Sequence, residues 1–346
     1  MTQLSNTKPP LEVKDPRAWK LHQPYPKKLI FGLIVLFIAL GWSFQNVELD
    51  QGVADLGEAV GYSVGMAQDS QVVRGATSYI DKGWPLVISD ETPVLRLEEF
   101  DRDNLPMFTH LETRTVLEPE FDTDKMELVN REVTTEFLVE PVGYLTRASV
   151  LMVETIEMAF WGTVIAILIA IPLAFFGAKN YTPWIGFYHL SRLLCSFNRA
   201  MPELITALFF VLMFGFGPVA GMIALGLHTS GLLGKFFADD IENADPGPQM
   251  ALRSTGASKL KVIRYAVLPQ VLPQYVAYIQ YILERNVRTA TVLGIVGAGG
   301  IGLELKGRWD MFAYGHVTTI LLIIFITVYL LECLTQLGRK RLIDTD

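Results

Sequence analysis

The sequence predicts an all-α polytopic membrane protein with about six transmembrane helices and a small acidic α+β insert after the first helix. The first observation behind this prediction is a series of long apolar runs in a chain of 346 residues, of which 51% are hydrophobic. The second is a charge split. Residues 45–147 contain 21 acidic and 8 basic side chains, whereas the rest of the chain contains 15 acidic and 21 basic ones. A soluble acidic block therefore interrupts a membrane protein with basic loops.

The first apolar run begins directly after two lysines. Residues 1–28 are polar and end in Lys27-Lys28, and the predicted first transmembrane helix occupies residues 29–46. A cleaved signal peptide is the competing interpretation, but the polar segment is long for one and no small-residue cleavage site follows Phe44. The lysines predict that residues 1–28 form a cytoplasmic tail and that the helix is retained.

The acidic block, residues 47–147, is predicted to lie outside the cytoplasm. In its first part, to about Lys82, Val53, Leu56 and Val60 recur at helical spacing. Its second part alternates apolar and polar residues over 114–118 and 126–139, which favours two or three strands. Such a block is either a solvated spacer or a docking surface for a soluble partner.

The later apolar runs predict a membrane domain over residues 148–338, followed by a cytoplasmic tail at 339–346. Every loop assigned to the cytoplasm is basic, so both termini are expected on the cytoplasmic side. One run is interrupted by Arg199 and Glu203, whose four-residue spacing predicts an ion pair on one helix face; a role in a pore is the alternative. The runs are Met158–Gly177, Tyr188–Gly217, Val219–Gly234, Val271–Leu283 and Val317–Leu331.

A basic, amphipathic segment lies between two of these runs, within residues 241–269. Asp245 followed by Pro246 predicts a capped helix start, and Gly256 predicts a left-handed helix end. Ser258 can cap a second helix that contains Leu260. The segment from 253 to 264 has four basic residues and no acidic one. We interpret it as a two-helix elbow on the cytoplasmic side; a membrane-surface helix pair with no partner is the simpler alternative.

At these residues the chain resembles the permease subunits of ABC importers. Ala251, Gly256 and the Leu268-Pro269 pair fall on the family's pattern, whereas Met250 stands where the family usually has glutamate. The amino-acid sequence of this segment is most similar to that of the phosphonate-uptake permeases. A second segment, residues 286–302, is similar to them as well.

The resemblance covers residues 148–338 and implies a MetI-like permease core in a bacterial inner membrane. It implies a second permease, either another copy or a paralogue, two ATP-binding cassette subunits and a periplasmic substrate-binding protein. The cargo would be a phosphonate, phosphite or phosphate-like oxyanion; methionine or another small solute is the alternative cargo. A membrane-anchored sensor that uses the acidic block as receptor, and an ion-driven carrier, are rival functions. The residues implied in ATPase coupling are Met250, Ala251, Gly256, Ala257, Leu260, Leu268 and Pro269.

The sequence predicts no catalytic, cofactor or metal site. Membrane lipid is an expected partner, and nucleic acid is not. Gly297–Gly302 matches G-x-G-x-x-G, but residues 317–331 offer no acid for a ribose, so close helix packing or an unwound hinge is the better interpretation. The chain has no complete phosphate-binding loop around Gly234-Lys235. If ATP drives this protein, a separate chain is expected to hydrolyse it.

A candidate substrate path lies just before the glycine-rich run. Arg288 is an ionisable residue at membrane depth, and Asn286, Thr289 and Thr291 are its polar neighbours. Its forked donors suit a tetrahedral oxyanion. Glu284, four residues earlier, could instead neutralise it, which would make Arg288 a structural residue.

Overall fold

The computed structural model describes residues 27–46, 49–67, 69–97, 102, 105, 108–122 and 127–343. Both predicted tails lie outside these residues, except for 27–28 and 339–343. The helices are α1 Lys27–Asn46, α2 Leu49–Ser63, α3 Gln71–Gly83, α4 Gly143–Gly177, α5 Ile185–Ala200, α6 Glu203–Phe214, α7 Pro218–Asn243, α8 Pro246–Ser254, α9 Lys259–Val262, α10 Leu268–Leu293, α11 Gly300–Asp310 and α12 Tyr314–Ile343. The strands are β1 Asp90–Pro93, β2 His110–Asp122 and β3 Glu127–Glu140.

The chain divides into two compact units, Met1–Tyr79 and Ile80–Asp346. The division falls inside α3, so the acidic block predicted as one insert is shared between the units. In the first unit, the α1 side chains from Phe31 to Ser43 are all exposed and largely apolar, as expected of a helix that meets lipid. The predicted helical start of the acidic block is present as α2 and α3.

The second unit begins with a three-stranded antiparallel sheet in the order β1-β3-β2. The sheet matches the prediction of two or three strands, and Asp90 and His110 pair with the end of β3, opposite Glu140 and Val139. The Arg114 guanidinium contacts Glu91 of β1 at 2.8 Å and Glu112 of β2 at 2.5 Å. The hydrogen bond from Arg114 lowers the pKa of the Glu112 carboxyl.

The sheet is fixed to the beginnings of α4 and α12. The Thr319 hydroxyl donates to the carbonyl oxygen of Val87 at 2.8 Å, and the Leu145 N–H donates to the carbonyl oxygen of Ile88 at 3.2 Å. Arg147 forms an ion pair with Asp90. The second half of the acidic block is therefore part of the helical unit.

The core of the second unit is the long contact between α4 and α7. Small residues permit it: a Cβ added at Gly162 would lie 2.9 Å from Leu225, and one added at Gly226 would lie 2.6 Å from Ile165. Helix α4 begins at Gly143, well before the predicted apolar run that starts at Met158. Hydropathy detects the apolar part of a helix and not a more polar extension of it.

Two breaks shape the remaining helices. The α5–α6 pair bends by 90° at Met201-Pro202, and the segment through α10 bends by 58° where α11 begins. The predicted ion pair between Arg199 and Glu203 is wrong, because Pro202 holds Met201 in an extended conformation and places the two residues on different helices.

The second break is the glycine-rich run. Gly297, Gly299 and Gly300 have φ angles of 98°, 84° and 66°, which residues with a Cβ rarely adopt. Gly294 and Gly302 meet across the break, where a Cβ on Gly302 would lie 2.0 Å from the Thr291 carbonyl oxygen. The run therefore combines both predicted features, an unwound hinge and close helix packing.

Three helices are long and apolar enough to cross a membrane, and each bent pair could supply one further span. These counts concern the described residues, which also include the shorter apolar helix Phe31–Ser43. The figure of about six crossings stays a prediction.

Candidate functional site

The elbow forms where the sequence predicted it. The Asp245 carboxylate accepts a hydrogen bond from the Gly247 N–H at 2.9 Å, with Pro246 in the first turn of α8. Gly256 follows the helix with a φ of 80°, and the Gly256 N–H donates to the Arg253 carbonyl oxygen at 3.0 Å. Open space surrounds its missing Cβ, so the need for glycine there is conformational.

A buried glutamine attaches the elbow to the helix layer. The Tyr181 hydroxyl donates to Gln249 Oε1 at 2.6 Å, and Gln249 Nε2 donates to the carbonyl oxygens of Ala244 and Asp245 at 3.1 Å each. Sequence reasoning missed Gln249 and Tyr181; the only available signal was a lone amide beside the exposed positions of a short amphipathic helix.

The second helix of the elbow differs from the prediction. It is only the single turn α9, and Ser258 makes no side-chain capping bond. A π-helical turn, Ile263–Val267, then joins α9 directly to α10, which has Pro269 in its first turn. The Leu268-Pro269 pair therefore lies within a nearly continuous helix that enters the membrane domain, and a displacement of the elbow would move α10 with it.

The outer face of the elbow is apolar with a basic border. Met250 is 58% exposed and Leu260 is 73% exposed. Ala251, Gly256, Leu268 and Pro269 are exposed as well, and Ala257 is half-buried. The basic residues Arg253, Lys259, Lys261 and Arg264 are all exposed.

A second polar site lies inside the helix layer, beside the bend between α5 and α6. Glu203 Oε1 contacts both Arg285 on α10 and His228 Nε2 on α7, the latter at 2.9 Å. His228 Nδ1 lies 3.1 Å from the Met201 carbonyl oxygen. Because that carbonyl can only accept, Nδ1 carries a proton. Nε2 also lies 3.3 Å from Nη2 of Arg285. The Glu203 carboxylate therefore has the Arg285 guanidinium as its counter-charge and His228 as a second polar neighbour.

An open cavity of about 530 Å³ adjoins this cluster. Arg199 lines it from the end of α5, and Arg288 and Thr289 line it from α10. Glu203 and His228 form part of its wall. The cavity therefore brings together two arginines that are 89 residues apart in the sequence.

The structure separates the four residues predicted for the substrate path. Arg288 and Thr289 line the cavity. Thr291 is buried, and its hydroxyl donates to the Arg288 carbonyl oxygen at 2.7 Å. Asn286 is buried between helices: Nδ2 donates to Thr163 at 2.9 Å, and Oδ1 accepts from Thr229 at 3.1 Å.

Arg288 also forms the competing ion pair. Its Nη2 lies 2.6 Å from Glu284 Oε1, but the Arg288 side chain remains 52% exposed, whereas Glu284 is 16% exposed. This single contact leaves other N–H donors of the guanidinium unused, and Arg288 lines the cavity.

Among the described residues, no group of three or more His, Cys, Asp or Glu side chains could hold a metal ion.

The sequence model for the family described as "Binding-protein-dependent transport system inner membrane component" matches residues 170–342. The chain belongs to this family. It is thus a multi-pass membrane permease subunit of ABC transporters, a class that works with ATP-binding subunits and a substrate-binding protein.

Two relatives from Stutzerimonas stutzeri support this placement. "Putative phosphite transport system permease protein HtxE" is 48% identical over 260 residues, which are 75% of this permease and 100% of the relative. "Phosphite transport system permease protein PtxC" is 42% identical over 189 residues, which are 55% of this permease and 69% of the relative. The predicted resemblance to phosphonate-type permeases is confirmed.

A solved structure supports the fold. A chain of the MetNI methionine ABC transporter, in an inward-facing conformation, matches with a TM-score of 0.50 and 20% identity and covers 57% of this permease and 95% of that chain. The predicted MetI-like permease fold is confirmed.

Proposed function

We propose that this permease moves a phosphorus oxyanion such as phosphite or a phosphonate inward across the inner membrane, while a separate chain hydrolyses ATP. The observation that carries the proposal is the 48% identity over the full length of a relative named for phosphite transport. The arginine-lined cavity agrees with an anionic cargo. The methionine transporter shares only the fold at 20% identity, so it gives no reason to prefer methionine.

The elbow is the proposed contact with the ATPase. Its exposed apolar centre, with Met250 and Leu260, and its basic border resemble a small docking surface. Because α9 continues through a π-helical turn into α10, a displacement at the elbow would reach Arg288 along one helix. The full assembly would contain two ATPases, two permeases and a periplasmic binding protein.

The proposed orientation has the elbow in the cytoplasm, with both termini on that side, and the sheet outside. The support is geometric as well as electrostatic. The segment that leads into the sheet is hydrogen-bonded to the beginning of α4 through Ile88 and Leu145. Beyond the other end of that helix, the Lys179 N–H donates at 2.6 Å to Glu242, at the start of the elbow segment. A helix of 35 residues is about 50 Å long, enough to separate the two across a bilayer.

The test is transport by the permease co-purified with its ATPase and reconstituted in proteoliposomes, with the binding protein outside. ATP-dependent accumulation of radiolabelled phosphite is expected, and labelled methionine should not accumulate. Accumulation of methionine without phosphite would contradict the proposed cargo, and accumulation without ATP would contradict the proposed drive.

Coupling is tested at Gly256. Gly256→Val forces a β-branched residue into a left-handed conformation, at a cost of about 1–2 kcal/mol or a displaced elbow. Gly256→Asn is the matched control, since asparagine tolerates that conformation better. The valine variant should insert normally but lose most phosphite uptake per ATP hydrolysed, and the asparagine variant should retain more. Equal coupling in both would contradict a role for the elbow geometry.

A further inference from the structure

We propose that the cavity beside the α5–α6 bend is a binding site for a tetrahedral oxyanion, which Arg199 on α5 and Arg288 on α10 hold together. The inference rests on the proposed function and deepens it, since it assigns the cargo a place and adds Arg199, which the sequence had assigned to an ion pair. Arg199 and Glu203 line this cavity from the two sides of the α5–α6 bend.

Arg199 differs from the other arginines near it. Arg192 is paired with Asp239 and Glu242, and Arg285 is paired with Glu203. Within the part of the chain that the structure describes, Arg199 has no such carboxylate partner, and its side chain is exposed to the cavity. A cation at membrane depth is costly without a partner, and a transported anion would supply one.

Arg288 supplies the second half of the site. Its guanidinium has five N–H donors, and the contact with Glu284 uses one edge of them. Thr289, next to it on the cavity wall, donates its hydroxyl proton to the Arg285 carbonyl oxygen at 3.1 Å. Its oxygen then remains an acceptor for a protonated oxygen of the ligand. Two guanidinium groups that donate hydrogen bonds and one hydroxyl oxygen that accepts one suit a small oxyanion that still carries a proton.

The wall of the cavity is compatible with an anion because Glu203 is already neutralised. Arg285 and His228 both contact the same oxygen of that carboxylate. Without them, a carboxylate beside the bound oxyanion would repel it in a medium of low dielectric constant. The volume of about 530 Å³ lies within the range of small-molecule sites and leaves room for the substituent of a phosphonate.

The experiment measures binding directly, because uptake also depends on the binding protein. Radiolabelled phosphite is equilibrated by dialysis with the permease–ATPase complex in nanodiscs, without the binding protein. Saturable binding is expected for the unaltered complex, and Arg199→Gln and Arg288→Gln should each weaken it at least about tenfold, the loss expected of a charged hydrogen bond. Lys306→Gln is the matched control, since Lys306 also forms an i,i+4 ion pair but lies outside this cavity. That variant should bind like the unaltered complex.

Arg199→Lys keeps the charge without the fork and should bind with an intermediate affinity, which provides a measurement if the glutamine variant does not fold. No saturable binding, or equal affinities in the arginine variants and Lys306→Gln, would overturn the site. Phosphite uptake by the unaltered complex would then leave the proposed function standing. Failure of that uptake would count against the proposed function itself.

Discussion

The close approach of two backbone segments at Gly302 allows a sharp test of the packing at the glycine break. Gly302 on α11 faces α10, and a Cβ added there would lie 2.0 Å from the Thr291 carbonyl oxygen and 2.8 Å from the Gly294 Cα. Both neighbours are backbone atoms, so no side-chain rotation can relieve the contact. In Gly302→Ala the added Cβ and the Thr291 carbonyl oxygen must separate by about 1.5 Å to reach an ordinary van der Waals distance.

The expected cost follows from that separation. Overpacking by one methyl group typically destabilises a protein by about 1–3 kcal/mol, and the upper end applies where backbone must move. Thermal unfolding of the purified protein should therefore shift downward by about 5 °C or more in Gly302→Ala. Gly307→Ala is the matched control, because Gly307 lies on the same helix with nothing within 4 Å of its added Cβ. Alanine should be neutral or stabilising there, by up to about 1 kcal/mol. Equal melting temperatures for the two variants would refute the close contact.

Three further predictions concern the interior and the topology. Asn286→Leu removes two interhelical hydrogen bonds and should destabilise the protein by about 1–2 kcal/mol, measured by thermal unfolding. Glu203→Gln leaves Arg285 without its carboxylate and should cost about 3 kcal/mol; adding Arg285→Gln should restore part of it, and no restoration would contradict the pairing. Reporter fusions after Asp90 and after Ala257 should report opposite sides of the membrane, and a shared side would contradict the proposed orientation.

Local chemistry made the elbow predictable from sequence. The cap at Asp245 and the left-handed residue at Gly256 depend only on their neighbours in the chain, and both are present in the structure. The break near Gly297 was predictable for the same reason, because glycine adopts positive φ angles that other residues rarely do. Hydropathy likewise located the apolar runs.

Contacts between distant segments could not be read in this way. Spacing alone suggested that Arg199 and Glu203 pair, but a single proline turns the chain by 90° between them, and Glu203 instead meets a residue 82 positions away. The amide of Gln249 gave no sign that it would be buried against Tyr181. Asn286, one of the residues predicted for the substrate path, faces neighbouring helices instead. Helical periodicity cannot predict which face of α10 packs against other helices when those helices are not known.

The buried amide of Asn286 constrains how the permease can move. Asn286 is buried, and its amide joins α10 to Thr163 of α4 and to Thr229 of α7 through two hydrogen bonds. Sliding any of these three helices past the others would break a hydrogen bond in an apolar interior, so they are expected to travel as one rigid body. Opening and closing of the cavity is then left to the bend after Arg199 and to the glycine break, both of which lie at the edges of that body. A cross-link between α4 and α7 should consequently permit transport, whereas one that bridges the bend should arrest it.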